Sequence, residues 1–259
     1  MASKLVLVTG ASSGIGAATA KRYGAMGAKV LLLARNRERL DAVASDIEAS
    51  GGSAHPYAID LADPDAVTEV SAEIAARHGT PDVLINNAGA GRWLSILDTT
   101  PDEARSMMAV PYFAAFYVSR AFLPGMIARR SGRIACITSP AAYLAWADAC
   151  AYIAARQAMK GFAEAMRADL KGTGVSVTLV VLGNVETPYW EHNPGSREHL
   201  PATNPRLVPT LTPDQAAYAI MDGVERRRRT VTEPGILRAI LIANALFPGF
   251  VARQLRKKG

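Results

Sequence analysis

The stretch TGASSGIG, residues 9–16, directly follows the apolar run LVLV and opens a helical pattern. Gly10, Gly14 and Gly16 give a backbone able to turn tightly and approach a pyrophosphate, whose charge the N-terminus of the following helix stabilises. Glycines in a turn say little by themselves. Their place after the first strand of a repeating strand and helix series makes them a dinucleotide loop. Outward from this loop, apolar runs recur at residues 30–33, 83–85, 134–137 and 175–181. Between them helical spacing shows in Leu40, Val43, Ala44 and Ile47, and again in Val67, Val70 and Ile74. Strand then helix, repeated, predicts an α/β fold, a doubly wound, Rossmann-like parallel sheet with helices on both faces. No Pro/Gly/Ser-rich linker breaks the series before residue 187, so residues 1–259 read as a single dinucleotide-binding domain.

The end of the second strand bears on which dinucleotide. In LLLARNRERL, residues 31–40, the position where a carboxylate would hold a ribose 2'-hydroxyl is occupied by Arg35. An arginine there suits a 2'-phosphate, with Arg37 as a possible second contact, and NADP(H) is favoured over NAD(H).

Residues 188–211, PYWEHNPGSREHLPATNPRLVPTL, carry five prolines and no clear period. Irregular segments this long inside compact domains are usually functional or disordered, and a substrate lid is the expectation here. Thr212, Pro213 and Asp214 then read as an N-cap, a proline in the first turn and an acid near the helix start. A C-terminal helical extension is expected at about 235–259.

Composition is that of a soluble globular chain, with 49% hydrophobic and 20% charged residues. Folding 259 residues buries about three quarters of the extended chain's surface, enough for a sizeable core. The formal charge of +6 gathers partly at residues 226–229 and at Arg253, Arg256, Lys257 and Lys258. Neither cluster has aromatic interleaving or a nucleic-acid motif, so no nucleic-acid partner is expected. The uncharged run 239–252 is too short to span a bilayer. A docking helix or oligomer contact is favoured for it over peripheral membrane contact. Only Cys136 and Cys150 occur, and the start MASKLVLVTG has no secretory pattern, which together point to a reducing, cytoplasmic setting with free thiols. The histidines at 55, 78, 192 and 199 form no HExxH or Cys/His cluster, so no metal is expected.

With TGASSGIG, Asn86-Asn87-Ala88-Gly89, Ser139 and Tyr152 in this order, the chain resembles the short-chain dehydrogenase/reductase family from Leu5 to about Pro234. The resemblance implies an NADP(H)-dependent oxidoreductase. It places Ser12, Ser13 and Ile15 beside the glycines at the cofactor, Asp60 at the adenine with Leu61, and Asn87, Ala88 and Gly89 along the cofactor. Thr187 would meet the nicotinamide carboxamide, Ser139 would polarise a substrate carbonyl, and Tyr152 would give or take the proton. It also implies a homodimer or homotetramer built on the long helices around Pro111 and Tyr152. The chemistry supports these roles independently. Ser139 ends the RIACITS run, where ligands of open α/β sheets collect, and a hydroxyl beside a phenol can serve developing oxyanion charge.

The pattern is broken at several positions. The family's lysine, four residues after the tyrosine, is Arg156 here; its helix asparagine is Pro111, in MMAVPYF; and Leu182-Gly183 stands where Pro-Gly is usual. A cation one helical turn from a phenol favours phenolate, and a guanidinium keeps that ability, together with a planar fork for ribose hydroxyls. It cannot release its own proton. Lys160 is no substitute, lying about 12 Å further along the helix. Pro111 preserves a kink or is simply a tolerated one.

Three functional readings follow. One is a working reductase with a Ser-Tyr-Arg site. The second is an NADP-binding sensor with little turnover. The third is a non-redox enzyme of the same family. Trp93, Trp146, Tyr189 and Trp190 follow strand ends, as an apolar pocket rim or as packing anchors. As a rim they suggest a bulky lipophilic or aromatic ketone or secondary alcohol.

Overall fold

Side chains alternate along each strand, and the two resulting apolar faces are what the helices cover. Val6, Val8, Val30, Leu32, Val83 and Ile85 point to one face, and Leu5, Leu7, Leu31, Leu33 and Leu84 to the other. The computed structural model describes residues 3–89, 91–201 and 206–255. In chain order these form β1 (Leu5–Thr9), α1 (Gly14–Ala25), β2 (Lys29–Ala34), α2 (Arg37–Ala49), β3 (Ser53–Ala58), α3 (Pro64–His78) and β4 (Val83–Asn86). There follow α4 (Pro101–Met108), a π-helical turn (Ala109–Phe113), α5 (Ala114–Ala128), β5 (Gly132–Thr138), α6 (Cys150–Asp169) and β6 (Val175–Leu182). The short α7 (Tyr189–His192), then α8 (Pro213–Glu225), β7 (Thr230–Glu233), α9 (Ile236–Leu246) and α10 (Pro248–Leu255) complete the order.

The seven strands form one parallel sheet in the order β3-β2-β1-β4-β5-β6-β7. This is the doubly wound fold expected from the sequence. Helices α1, α2 and α8 cover one face through residues such as Tyr23, Leu40, Ile47 and Ile220. Helices α3, α5 and α6 cover the other through Ile74, Phe122, Met126 and Met159. Each fully buried side chain of this size contributes about 1.5–3 kcal/mol. The winding reverses between β1 and β4, so the segments after these two strands flank a crevice at the sheet's carboxyl edge.

Two strands escaped the reading of apolar runs, and both are edge strands. β3 reads SAHPYA, and Pro56 offers no N–H to a ladder, which an edge strand tolerates. β7 is only TVTE.

Pro111 does not break the chain's helical course. The turn around it widens, and the N–H of Ala114 donates to the carbonyl of Ala109, five residues back. Proline lacks the donor for an ordinary helical bond, and the π-turn absorbs that loss. Pro111 is buried there, while the neighbouring Val110 lines the crevice.

The segment 188–211 is fastened at its base. The N–H of Glu186 donates to the carbonyl of Leu211 at 2.9 Å, and the N–H of Leu211 to that of Asn184 at 2.9 Å. Residues 202–205 of it lie outside the described residues, as do Arg256, Lys257 and Lys258 of the basic tail. Helix α8 starts where its sequence signals stand, with Thr212 and Gln215 forming a reciprocal cap. Both cysteines are free; burial pushes the Cys136 thiol up to about 12, so it stays protonated at neutral pH. No described helix is long and apolar enough to cross a membrane.

Candidate active site

The sequence places a strand end, a tight turn and a helix start together three times along this edge, and the result is a cleft of about 990 Å³. Its nucleotide end is built by the turn after β1. Gly10, Ser12, Ser13, Gly14 and Ile15 line it, and α1 begins without a side-chain cap or an acid in its first turn. Helices α2, α3, α4 and α8, by contrast, are capped by Asn36, Asp63, Thr100 and Thr212. The open N–H groups of α1 suit an anion.

Gly16 does not line the cleft. A Cβ there would stand 2.1 Å from the carbonyl oxygen of Gly10 and 2.6 Å from Nδ2 of Asn87, so this glycine lets the helix close onto the turn. Asn87 braces the same junction, donating from Nδ2 to the carbonyl of Thr9 at 3.1 Å, while Thr9 Oγ1 accepts from the N–H groups of Asn87 and Ala88. Gly16→Ala is therefore expected to cost about 1–3 kcal/mol through overpacking, or roughly 2–12 °C in melting temperature for a chain of this size. Thermal unfolding and a nucleotide titration on the same sample check it. An unchanged midpoint would show that the turn yields without cost.

At the end of β2, Arg35 and Arg39 line the cleft with Asn36. Arg35 has no ion-pair partner among the described residues, and Arg39 Nη1 lies 3.2 Å from Nε2 of His192. Arg37 is elsewhere: its Nε binds both oxygens of Asp41, at 2.8 and 2.9 Å, and it does not line the cleft. The second cation lining the cleft is thus Arg39, while Arg37, open in the sequence to a phosphate contact or an exposed helix start, takes the exposed place. Asp60 and Leu61, after the neighbouring strand β3, line the same cleft, with Asp60 Oδ1 accepting from the N–H of Ala62 at 3.0 Å.

At the other end Ser139, Tyr152, Arg156 and Thr187 line the same cleft, with Asn87, Ala88 and Gly89 between. Ser139 follows β5 and caps a short turn, its Oγ accepting from the N–H of Ala141 at 3.1 Å, which leaves its own proton to donate. Tyr152 and Arg156 lie one turn apart on α6, 6% and 8% exposed. The Arg156 guanidinium carbon is 4.8 Å from the centre of the Tyr152 ring. No carboxylate pairs with Arg156 among the described residues, and its Nε has no hydrogen-bond partner. Gly89 leaves room for this group, since a Cβ there would press on Nη2 at 3.0 Å. Lys160 is directed away, its Nζ 3.7 Å from Glu164 and 4.9 Å from the Tyr143 ring centre.

The four aromatics do not form a simple rim. Trp93 is buried at their centre, 4.8 Å from the Tyr152 ring, 5.3 Å from Trp146 and 5.4 Å from Trp190. It is an anchor that also faces the cleft, while Trp146, Tyr189 and Trp190 are half-buried around it. Trp93 Nε1 donates to the Tyr189 hydroxyl at 3.1 Å, which donates to the carbonyl of Gly91 at 2.6 Å. Burial holds the Tyr189 phenol well above the usual range, with Tyr152 adding to that and Arg156 opposing it, so Tyr189 remains a donor.

Asn193 and Ser196 were not singled out by sequence reasoning. Both are buried: Asn193 Oδ1 accepts from the N–H of Gly91 at 3.0 Å, and Ser196 Oγ from that of Trp93 at 2.9 Å. Small polar residues in a segment without period give no signal of that role. Among the described residues no group of three or more His, Cys, Asp or Glu is placed to hold a metal.

Comparison with known proteins agrees with this arrangement. Residues 4–197 match the family described as short chain dehydrogenase. An uncharacterized oxidoreductase of Mycobacterium tuberculosis is 37% identical over 237 residues, 89% of this chain and 67% of that protein. A fatty acyl-CoA reductase of Acinetobacter baylyi is 35% identical over 246 residues, 93% of this chain and 80% of that one. A metagenomic short-chain oxidoreductase, solved in complex with NADP, superposes with a TM-score of 0.73 at 33% identity, covering 88% of this chain and 94% of its own. The parallel sheet wound as expected, the glycine turn at its reversal and this match over most of the length have one reading: the chain belongs to the short-chain dehydrogenase family.

Proposed function

We propose that the protein is an NADP(H)-dependent oxidoreductase acting between a bulky lipophilic or aromatic ketone and the corresponding secondary alcohol. The observation that carries this reading is the buried Arg156 guanidinium, without a carboxylate partner among the described residues, set against the buried ring of Tyr152 in the cleft that Ser139 also lines. A buried charge left without a counter-ion is costly unless something uses it. Phenolate and ribose hydroxyls are the groups it suits.

Arg35 and Arg39 would hold the 2'-phosphate, the turn of residues 10–15 the pyrophosphate, and Thr187 the nicotinamide end. Bound NADP(H) supplies a hydride to the carbonyl carbon or accepts one from the carbinol carbon. Ser139 donates a hydrogen bond to the substrate oxygen as negative charge grows there. Tyr152 gives that oxygen its proton in reduction and takes it back in oxidation. Arg156 sets a fixed positive charge beside the phenol oxygen as it gives up its proton, and the phenol regains that proton from water. The segment 188–211 acts as the lid, with Asn193 and Ser196 fastening it to residues 91–93 and excluding water. The apolar walls of Trp93, Trp146 and Trp190 favour the substrate class. The NADP complex of the metagenomic relative and the acyl-CoA reductase relative support cofactor and lipophilic substrate respectively.

Association as a homodimer or homotetramer through the long helices is part of this reading. Phe113 and Phe116 stand exposed at the start of α5, where such a contact would cover them.

Two measurements test the proposal. Oxidation of NADPH with a panel of aryl and long-chain ketones is expected to proceed, and indifference to every member would overturn the substrate class. Arg35→Ala with Arg39→Ala is expected to weaken NADPH binding about 10–100-fold, from one or two lost charge-assisted hydrogen bonds, while NADH binding hardly changes. Equal loss for both nucleotides would remove the 2'-phosphate from the assignment.

A further inference from the structure

Charge along this chain is unevenly placed. Residues 234–259 contain five basic side chains, Arg238, Arg253, Arg256, Lys257 and Lys258, and no acidic one; the 233 residues before them hold 24 basic and 23 acidic. Nearly the whole net charge of +6 therefore sits in this segment. Large apolar side chains also gather at its surface: Leu246 is 67%, Phe247 64% and Phe250 65% exposed, with Ile242 beside them, while Ile96 and Leu97 form a smaller exposed pair elsewhere.

The helices explain why these side chains are not in the core. On α9, Leu237, Ile240, Leu241 and Asn244 share the inner face, where Leu237 is buried and Asn244 Nδ2 donates to the carbonyl of Tyr143 at 3.1 Å. Ile242 and Leu246 lie on the opposite face. On α10, Val251 turns inward and Phe250 outward. The pair is docked by one side and bare on the other. Contiguous exposed aromatic and aliphatic groups of this kind mark interaction surfaces.

We infer that this C-terminal helical pair docks on the surface of an anionic lipid bilayer, burying Ile242, Leu246, Phe247 and Phe250 among the acyl chains while the basic groups meet the head groups. An apolar helical face that carries arginine, here Arg238 and Arg253, and lacks acids is the form that lies in a membrane interface. A second copy of the chain is a poorer fit, because a symmetric contact would bring two such like-charged segments together. Docking would also hold the cleft one helix away from the bilayer, since Leu237, Ile240 and Leu255 line it from the inner side of these same helices. That link to a lipophilic substrate rests on the reductase reading; the docking itself does not, and is measured without substrate.

The test is flotation of the full chain with phosphatidylcholine vesicles and with vesicles containing roughly 30% phosphatidylglycerol. Partitioning is expected to be at least about tenfold greater onto the anionic vesicles and to weaken with salt. Phe247→Asp with Phe250→Asp is expected to lower it at least about tenfold, with melting temperature and NADPH binding unchanged. Absence of vesicle binding, equal binding to both vesicle types, or equal binding by the double variant would overturn the inference. So would a self-association, seen by light scattering, that the double variant abolishes while the native chain ignores vesicles.

Discussion

Tyr152→Phe is expected to lower carbonyl reduction by about 10²–10⁴-fold, the range for loss of a positioned acid or base, while NADPH affinity stays within a few-fold of native. The ring is retained, so its contacts with Trp93 at 4.8 Å and with the Arg156 guanidinium at 4.8 Å survive. Only the hydroxyl is removed, and folding depends little on it. Steady-state rates with a ketone from the panel, beside a fluorescence titration of nucleotide, separate chemistry from binding. Equal turnover by the two proteins would remove the phenol from the mechanism. Undiminished nucleotide affinity with no turnover in either protein would leave a binding fold and favour the sensor.

The second large effect belongs to Arg156→Met. A unit charge about 5 Å from a phenolate is worth roughly 3 kcal/mol at an effective dielectric near 20, or on the order of a hundredfold in rate, and the guanidinium carbon stands 4.8 Å from the centre of the Tyr152 ring. Methionine fills much of the space without the charge. Because no carboxylate among the described residues pairs with the buried guanidinium, its removal is not expected to lower thermal stability and can raise it. A hundredfold loss at an undiminished melting temperature therefore assigns the charge to catalysis. Equal loss of stability and rate would make Arg156 a structural residue. Arg156→Lys restores the charge and adds a group able to exchange protons, so its rate is expected to match or exceed the native one. A rate as low as the methionine variant's would show that the planar fork, and not the charge, is what the site needs.

Much of this was legible in the sequence because it is carried by local grammar. The glycine turn, the strand ending at Ser139 and the helix carrying Tyr152 and Arg156 each follow from spacing within a dozen residues. The parallel sheet follows from their repetition. What remained hidden depends on rotation and docking. Arg37 and Arg39 sit in the same first turn of α2, but Asp41, one turn on from Arg37, captures it, whereas Arg39 turns to the cleft. β3 was hidden by Pro56, a residue only an edge position accepts. Asn193 and Ser196 gain their roles from residues 91–93, about a hundred positions away, and no periodicity reports such a contact. Trp93 was legible as a member of an aromatic group but not as its buried centre.

The Tyr189 hydroxyl ties Trp93 Nε1 to the carbonyl of Gly91, and the Arg156 guanidinium sits beside it. One hydroxyl therefore holds the aromatic wall and the cationic corner together. A charge kept from water acts more strongly on its neighbours than a wetted one, so on the proposed mechanism a substitution that frees this hydroxyl would also weaken the guanidinium's hold on developing negative charge.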